Sequence, residues 1–365
     1  MRILALAVAA GLMVASFAAD AAGLTPVCMA NMCGYINAQG DMAIPPRETF
    51  TGADAFASNG LARIVKDDKL IGYIDNSGAV VIPPAFEQAE MFSDYGLAQV
   101  MKNGRWGYID AKGAMVIPTK FEAAGSFAAN GMATFIESGK YGYINARGEV
   151  LIPPTFEAAA IDGFAANGLA AVMINGKWGY IDVRGKTVIP PSFDKAYTFA
   201  ANGLARVLKD GKYGYIDARG AAVIPVQFDD ADDFTANGLA AISRSNSEGF
   251  INARGEPAFP LANRHVESFA ANGLARIQED NKYGYVNAQG KTVIAPIYDR
   301  AGDFDANGLA LVIIEKAEFV GYINETGQTV AFYDAVCNTR VLKNSRGEII
   351  WPQKTPDQIC AEQKH

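Results

Sequence analysis

The chain has 365 residues, 32 of them basic and 39 acidic, for a formal charge of −7 at neutral pH. Half are hydrophobic and only 19% are charged, which is incompatible with intrinsic disorder and sufficient for a buried core. Lysine and arginine are spread thinly along the chain with no cluster that could track phosphates, so nucleic acid is not an expected partner.

Residues 1–21 read as a secretory signal peptide. Arg2 supplies the positive start, residues 3–17 an apolar run, and Ala19-Asp20-Ala21 a small-x-small cleavage site, so the mature chain is expected to begin at Ala22. No later segment is apolar for long enough to span a bilayer. The expected location is therefore outside the cytoplasm, periplasmic or extracellular. Cys28 and Cys33 follow near the front, Cys337 and Cys360 lie near the back, and none falls inside the regular pattern between them. An even number of cysteines in an oxidising compartment favours disulfides, and four allow three pairings. The local pairings, Cys28–Cys33 and Cys337–Cys360, would staple the two ends. Neither spacing suits zinc, and His265 and His365 are the only histidines, so no metal or cofactor is expected.

From Gly34 onward a phrase close to Gly-Tyr-Ile-Asp/Asn occurs nine times, at Gly34, Gly72, Gly107, Gly142, Gly179, Gly214, Gly249, Gly284 and Gly321. The intervals are 38, 35, 35, 37, 35, 35, 35 and 37 residues, enough for one supersecondary unit and too few for a domain with its own core. Stacking of neighbours must supply that core. The unit at 202–233 shows the local logic. Leu204, Arg206 and Leu208 alternate with Ala205 and Val207, and Asp210-Gly211 follows, a strong hairpin signal. A second strand through Tyr213 and Ile216 ends in Asp217-Ala218-Arg219-Gly220, which predicts a turn closed by a glycine at positive φ with the Asp side chain accepting backbone N–H groups. A third strand, from Ala222 to Ile224, stops at Pro225. Phe228-Asp229-Asp230-Ala231 then reads as a loop or a single helical turn leading to the next unit.

Alternation puts the tyrosines of the repeated phrase on one face and predicts a continuous column of Tyr35, Tyr73, Tyr108, Tyr143, Tyr180, Tyr215, Phe250, Tyr285 and Tyr322. Phe86, Phe121, Phe156, Phe193, Phe228 and Tyr298 suggest a second column; Phe56, Phe92, Phe127, Phe164, Phe199, Phe234, Phe269 and Phe304 suggest a third. The glycine before each tyrosine leaves room for a close passage of backbone.

Arg105-Trp106-Gly107-Tyr108-Ile109-Asp110 and Lys177-Trp178-Gly179-Tyr180-Ile181-Asp182, with the closing glycine, the Val-Ile-Pro strand and the Phe-Asp/Glu-x-Ala connection, resemble the bacterial WG-containing (KWG) repeat. Tyr141, Tyr213 and Tyr283 replace its tryptophan, and Ile71, Glu248 and Val320 depart further. The resemblance implies a β-rich repeat module with no common reaction. The expected fold is all-β, an open solenoid-like stack of nine to ten three-stranded meanders. A many-bladed propeller is the alternative, disfavoured because each end keeps its own hairpin and cysteine pair. Residues 22–332 form the array, and 333–365 a cap with a degenerate tenth hairpin.

Glu87, Glu122, Glu157, Asp194, Asp229 and Asp299 recur in equivalent places, which suits capping; acid–base catalysis needs two carboxylates in unlike environments. The seventh unit breaks the pattern: Asn263, Arg264 and His265 stand where other copies carry an aromatic and an acid, and form the candidate partner-binding patch. Arg206 is, by contrast, a repeat-typical surface residue. His265, the lone internal histidine, has no serine or cysteine partner in a recognisable nucleophile context, so no hydrolase triad is expected. The expected function is non-enzymatic: an exported scaffold that binds a protein, or alternatively a cell-wall or glycan-binding module, with an enzyme as a third and weaker reading. Buried tyrosines would favour the scaffold; exposed tyrosines would favour glycan.

Overall fold

The computed structural model describes residues 23–362 except 30, 31, 67, 68, 161, 162, 246 and 261–264. Residues 1–21, expected to be a signal peptide, lie outside them. In the unit chosen above, Ala205–Lys209 pairs with Lys212–Ile216 around Asp210 and Gly211, whose φ values of 51° and 75° are those of a type I′ hairpin turn. Lys212–Ile216 pairs in turn with Ala222–Phe228. The closing Gly220 has φ 83°, and Asp217 Oδ1 accepts the N–H groups of Arg219 and Ala221 at 2.9 Å. All nine closing glycines lie between 76° and 83°, as the turn predicts.

The third strand pairs irregularly. Two bridges, Tyr215↔Ile224 and Tyr213↔Phe228, enclose two extra residues on the outgoing strand. That bulge lies over Gly214, where a Cβ would stand 2.7 Å from the Ile224 oxygen and the Val226 nitrogen. The segment expected to be a loop or helical turn is instead a fourth strand: Asp230–Ala231 pairs with Leu239–Arg244 of the following unit. Once the chain leaves the bulge extended, the next unit's first strand offers it an open edge, and backbone pairing there satisfies groups that a loop would leave to water.

Nine sheets result. Blade 1 has three strands, Leu24–Met29, Met32–Asn37 and Met42–Arg47; blades 2 to 8 have four, and blade 9 has six. The ninth packs on the first through a shared core that includes Val27, Ile36, Leu309, Val330 and Leu342. Thr25 Oγ1 donates to Asp305 Oδ2 at 2.5 Å, and Asn307 Nδ2 donates to Thr25 Oγ1 at 3.1 Å. The array is therefore closed into a nine-bladed β-propeller, and the expected open stack gives way to its alternative. The disulfides did not bear on closure. Cys28–Cys33 and Cys337–Cys360 both form, with Cα separations of 4.1 and 5.2 Å, but each is local to one end; among the described residues the ends meet through packing, hydrogen bonds and an Arg346–Asp41 ion pair at 4.0 Å.

The tenth unit makes no blade. Where other third strands carry proline, this one has Phe332-Tyr333, and Thr329–Val336 runs straight on to pair with Thr339–Asn344. That strand thus serves unit nine and unit ten at once, and Ile349–Trp351 completes the six-stranded sheet. Helix Pro356–Glu362 follows.

The tyrosines of the repeated phrase are buried, but not as one column. Each ring but Tyr322 meets the phenylalanine of the following unit, as in Tyr73–Phe92, Tyr180–Phe199 and Tyr215–Phe234 with centroids 4.8–4.9 Å apart, so two of the expected columns are partners across eight of the blade boundaries. All the hydroxyls but that of Tyr143 donate to carbonyls of the next blade, Tyr108 to Gly125 at 2.7 Å and Tyr215 to Asp232 at 2.6 Å. Burial pushes these phenols well above their ordinary pKa and keeps them donors.

Gly220→Val is expected to cost about 2–4 kcal/mol, because the left-handed backbone penalises a β-branched residue and its Cβ would press on Ile189 Cγ2 of the preceding blade at 3.0 Å. Urea unfolding checks this, and an unchanged midpoint would refute the turn's role.

Candidate interaction surface

Of the three residues singled out in the seventh unit, Asn263 and Arg264 lie outside the described residues. His265 opens the first strand of blade 8, His265–Phe269, and its Nδ1 stands 2.9 Å from the Glu248 carboxylate. Glu248 occupies the tryptophan position of blade 7 and also accepts the Val266 N–H at 3.1 Å. The histidine is therefore exposed but engaged, and with Glu248 it joins two blades where other units use an aromatic ring.

The six recurring carboxylates all sit at hairpin turns. Glu87 accepts the N–H groups of Asn103 and Gly104 at 2.7 and 3.0 Å; Glu122 accepts those of Ser138 and Gly139, both at 3.1 Å. Glu157 takes Gly176, Asp194 takes Asp210, Asp229 takes Ser245 and Asp299 takes Glu315, at 2.7–2.9 Å. Each cap spans a blade's short strand and its first hairpin. Lys177, Lys212 and Lys282 add cations from the preceding blade to Asp194, Asp229 and Asp299. These lysines, followed by the turn N–H groups, hold the three carboxyls below the usual aspartate range. A pKa depressed on folding contributes stability that is present above the unfolded value and lost as pH falls through the folded one. The melting temperature should accordingly drop on acidification below about pH 4, and Asp229→Asn should flatten that dependence slightly while melting lower at neutral pH. An Asp229→Asn profile superimposable on the parent's would remove the cap from the account.

Arg206 is not a surface residue. Its side chain is 13% exposed, stacks 3.8 Å above the Tyr197 ring, and donates to the Ala231 carbonyl and to Asp233 of the next blade, with Asp232 at 3.5 Å. Arg63 does the same with Asp54, Glu90 and the Ala89 carbonyl, and Arg276 with Glu267, Asp303 and the Ala301 carbonyl. Three blade boundaries are thus clamped by arginine. A Leu-Ala-Arg strand followed by an acid-rich connection was a signal present in the sequence and not used. Arg206→Ala should cost about 1–3 kcal/mol by losing the stack on Tyr197, the hydrogen bond to the Ala231 carbonyl and the contacts with Asp232 and Asp233, read as a lower denaturation midpoint; no shift would return it to the surface.

What faces solvent on the blade edges is aliphatic. Val80, Met115, Val116, Val150, Leu151, Val188 and Val293 lie at equivalent places on third strands, with Val150 51% exposed. Among the described residues no group of His, Cys, Asp and Glu could hold a metal ion, and no helix is long and apolar enough to cross a membrane.

The family model for the WG-containing repeat matches eight times, over residues 34–69, 71–106, 106–141, 141–178, 178–213, 213–246, 249–283 and 283–316. No curated protein matches the sequence. Among solved structures, one titled as the eukaryotic initiation factor is similar in fold, with TM-score 0.53 at 10% identity over 76% of this chain and 92% of that one. BamB from Moraxella catarrhalis gives 0.43 at 11% identity, over 82% of this chain and 94% of that one. The dihydro-heme d1 dehydrogenase NirN gives 0.44 at 14% identity, over 90% and 75% respectively.

Proposed function

We propose that this chain, which belongs to the family of proteins with WG-containing repeats, is an exported, non-enzymatic scaffold that holds a protein partner on the surface of its ring. The observation that carries the reading is where the aromatic residues go. A glycan platform needs exposed rings, yet the repeated tyrosines are buried and all but Tyr143 spend their hydroxyls on neighbouring blades. Aliphatic residues also recur exposed on the third strands, the chemistry of protein contact. The recurring carboxylates are alike in position and committed to turns, which supports a role without catalysis. Export is supported by the signal-like residues 1–21 and by two disulfides, which persist outside the cytoplasm.

The test is capture by the purified mature protein from an envelope extract, run beside co-sedimentation with peptidoglycan and common polysaccharides. Saturable recovery of a defined protein, weakened by charge at the blade edge (Val150→Asp with Met115→Asp), supports the scaffold. Co-sedimentation with glycan alone would replace it with the cell-wall reading.

A further inference from the structure

The two disulfides sit in unlike surroundings. Cys33 is fully buried in a cluster with Tyr35, Ile44, Phe50 and Phe56, and its N–H donates to the Phe50 carbonyl at 2.8 Å. Only its partner Cys28 is exposed. Cys337 is exposed on the turn of the outward hairpin of blade 9, and Cys360 is half-buried in the helix Pro356–Glu362. Thiol–disulfide exchange needs one accessible sulfur to attack and a second that can leave as a thiolate. Attack on Cys28 would expel the Cys33 thiolate into an apolar interior, where burial disfavours the charge. Either sulfur of Cys337–Cys360 leaves as a thiolate that water can reach.

The turn around Cys337 sets the same bridge apart. Cys337 and Asn338 join Val336 to Thr339 with φ values of 47° and 62°. At the first of these positions the hairpins of blades 3 to 8 carry Asn103, Ser138, Asn175, Asp210, Ser245 and Asp280, short polar residues suited to a left-handed backbone. A cysteine gains nothing there from the turn, so the bridge explains its place. In blades 3 to 7 and 9 the first hairpin is also capped by a carboxylate, whereas the outward hairpin's own acid, Asp334, is spent on the Ala335 N–H at 2.8 Å and on Lys343 at 2.6 Å. The bond to Cys360 thus stands where those turns have a cap. The helix it reaches starts with a reciprocal cap, the Thr355 N–H donating to Gln358 Oε1 at 2.8 Å and the Gln358 N–H to Thr355 Oγ1 at 3.3 Å, and it buries Ile359. At seven residues it is well short of the roughly 12–15 at which even a good isolated helix becomes marginal in water, so its order depends on Ile359 and the bridge.

We propose that Cys337–Cys360 is a redox-labile latch, opened by a dithiol to free the helix Pro356–Glu362 while the ring and Cys28–Cys33 stay intact. One thiolate of the dithiol attacks a sulfur of the bridge; the S–S bond breaks, and its electron pair leaves on the other cysteine, which takes up a proton. The second thiol of the reagent then displaces the mixed disulfide, so the dithiol ends as a disulfide and the protein as two thiols. The ring does not depend on the latch, because blades 9 and 1 meet through the core that includes Val27, Leu309 and Val330 and through Thr25, Asp305 and Asn307. The latched hairpin belongs to the sheet whose Tyr333, Leu342 and Trp351 line one hollow with Val27 and Met29 of blade 1. Opening the latch bares Ile359 beside that junction and gives this part of the surface one form for each redox state.

The test treats the full mature protein with graded dithiothreitol, quenches with iodoacetamide and maps the labelled cysteines. Cys337 and Cys360 are expected to be labelled at least about tenfold faster than Cys28 and Cys33. Hydrogen exchange on the same partly reduced protein should show amide protection lost in residues 359–362 and kept in residues 32–37 and 205–216. The Cys337→Ser, Cys360→Ser double variant should exchange in the same way with no reductant present. Equal labelling rates, earlier opening of Cys28–Cys33, helix amides that exchange alike before and after reduction, or a double variant whose ring no longer folds would each overturn the latch.

Discussion

Gly179→Ala is expected to lower stability by about 3 kcal/mol or more and to disorder blade 5 first, although it adds a single methyl group. A Cβ there would lie 2.5 Å from the Ile189 oxygen and 2.7 Å from the Pro191 nitrogen. Both are backbone atoms, and the bulge that carries them is held by two prolines, Pro190 and Pro191, so neither can swing away as a side-chain tip could. The outgoing strand would have to lift off, and with it the Phe193-Asp194-Lys195-Ala196 segment that forms the edge of blade 6. Gly176→Ala is the control. Its φ of 73° carries the left-handed penalty, but nothing lies within 4 Å of the added carbon, so it should cost only about 1–2 kcal/mol. Urea titrations followed by tryptophan fluorescence compare the two, and equal losses would sink the close-passage explanation.

Tyr180→Ala should be the most damaging change in the interior, at about 3–5 kcal/mol. The ring is 1% exposed and packs 4.9 Å from Phe199 of blade 6, and the hydroxyl donates to the Tyr197 carbonyl at 2.8 Å. Removing the ring opens a cavity at a blade boundary, and a ring of blades has no slack with which to close it. Tyr180→Phe isolates the hydroxyl and should cost about 1 kcal/mol. Tyr143→Phe should cost nothing or stabilise, since the Tyr143 hydroxyl is buried with no hydrogen-bond partner among the described residues. Thermal and urea unfolding of the three variants gives the ranking. A Tyr143→Phe loss equal to that of Tyr180→Phe would mean that the inter-blade hydrogen bonds contribute little.

The local grammar of this protein was legible in single residues. Asp217 and Gly220 specify their turn, Asp210-Gly211 its hairpin and Gly214 a close passage, because each depends on the conformational range of one residue and its neighbours within a few positions. The cysteine pairs were legible for the same reason, their partners being close in sequence. The role of the recurring carboxylates followed from their repetition, although the turns they cap lie 16 to 19 residues away. Closure was not legible. Whether the ends of nine units meet depends on a small rotation per blade summed around the ring, a quantity carried by no residue and set by how whole sheets pack. Arg206 was misjudged as a surface residue for a related cause: alternation shows that it points away from Val207, and only the next blade shows that this direction is also interior. The same holds for the six-stranded ninth blade, which exists because Phe332 and Tyr333 let a strand run straight where proline turns the others toward the next blade.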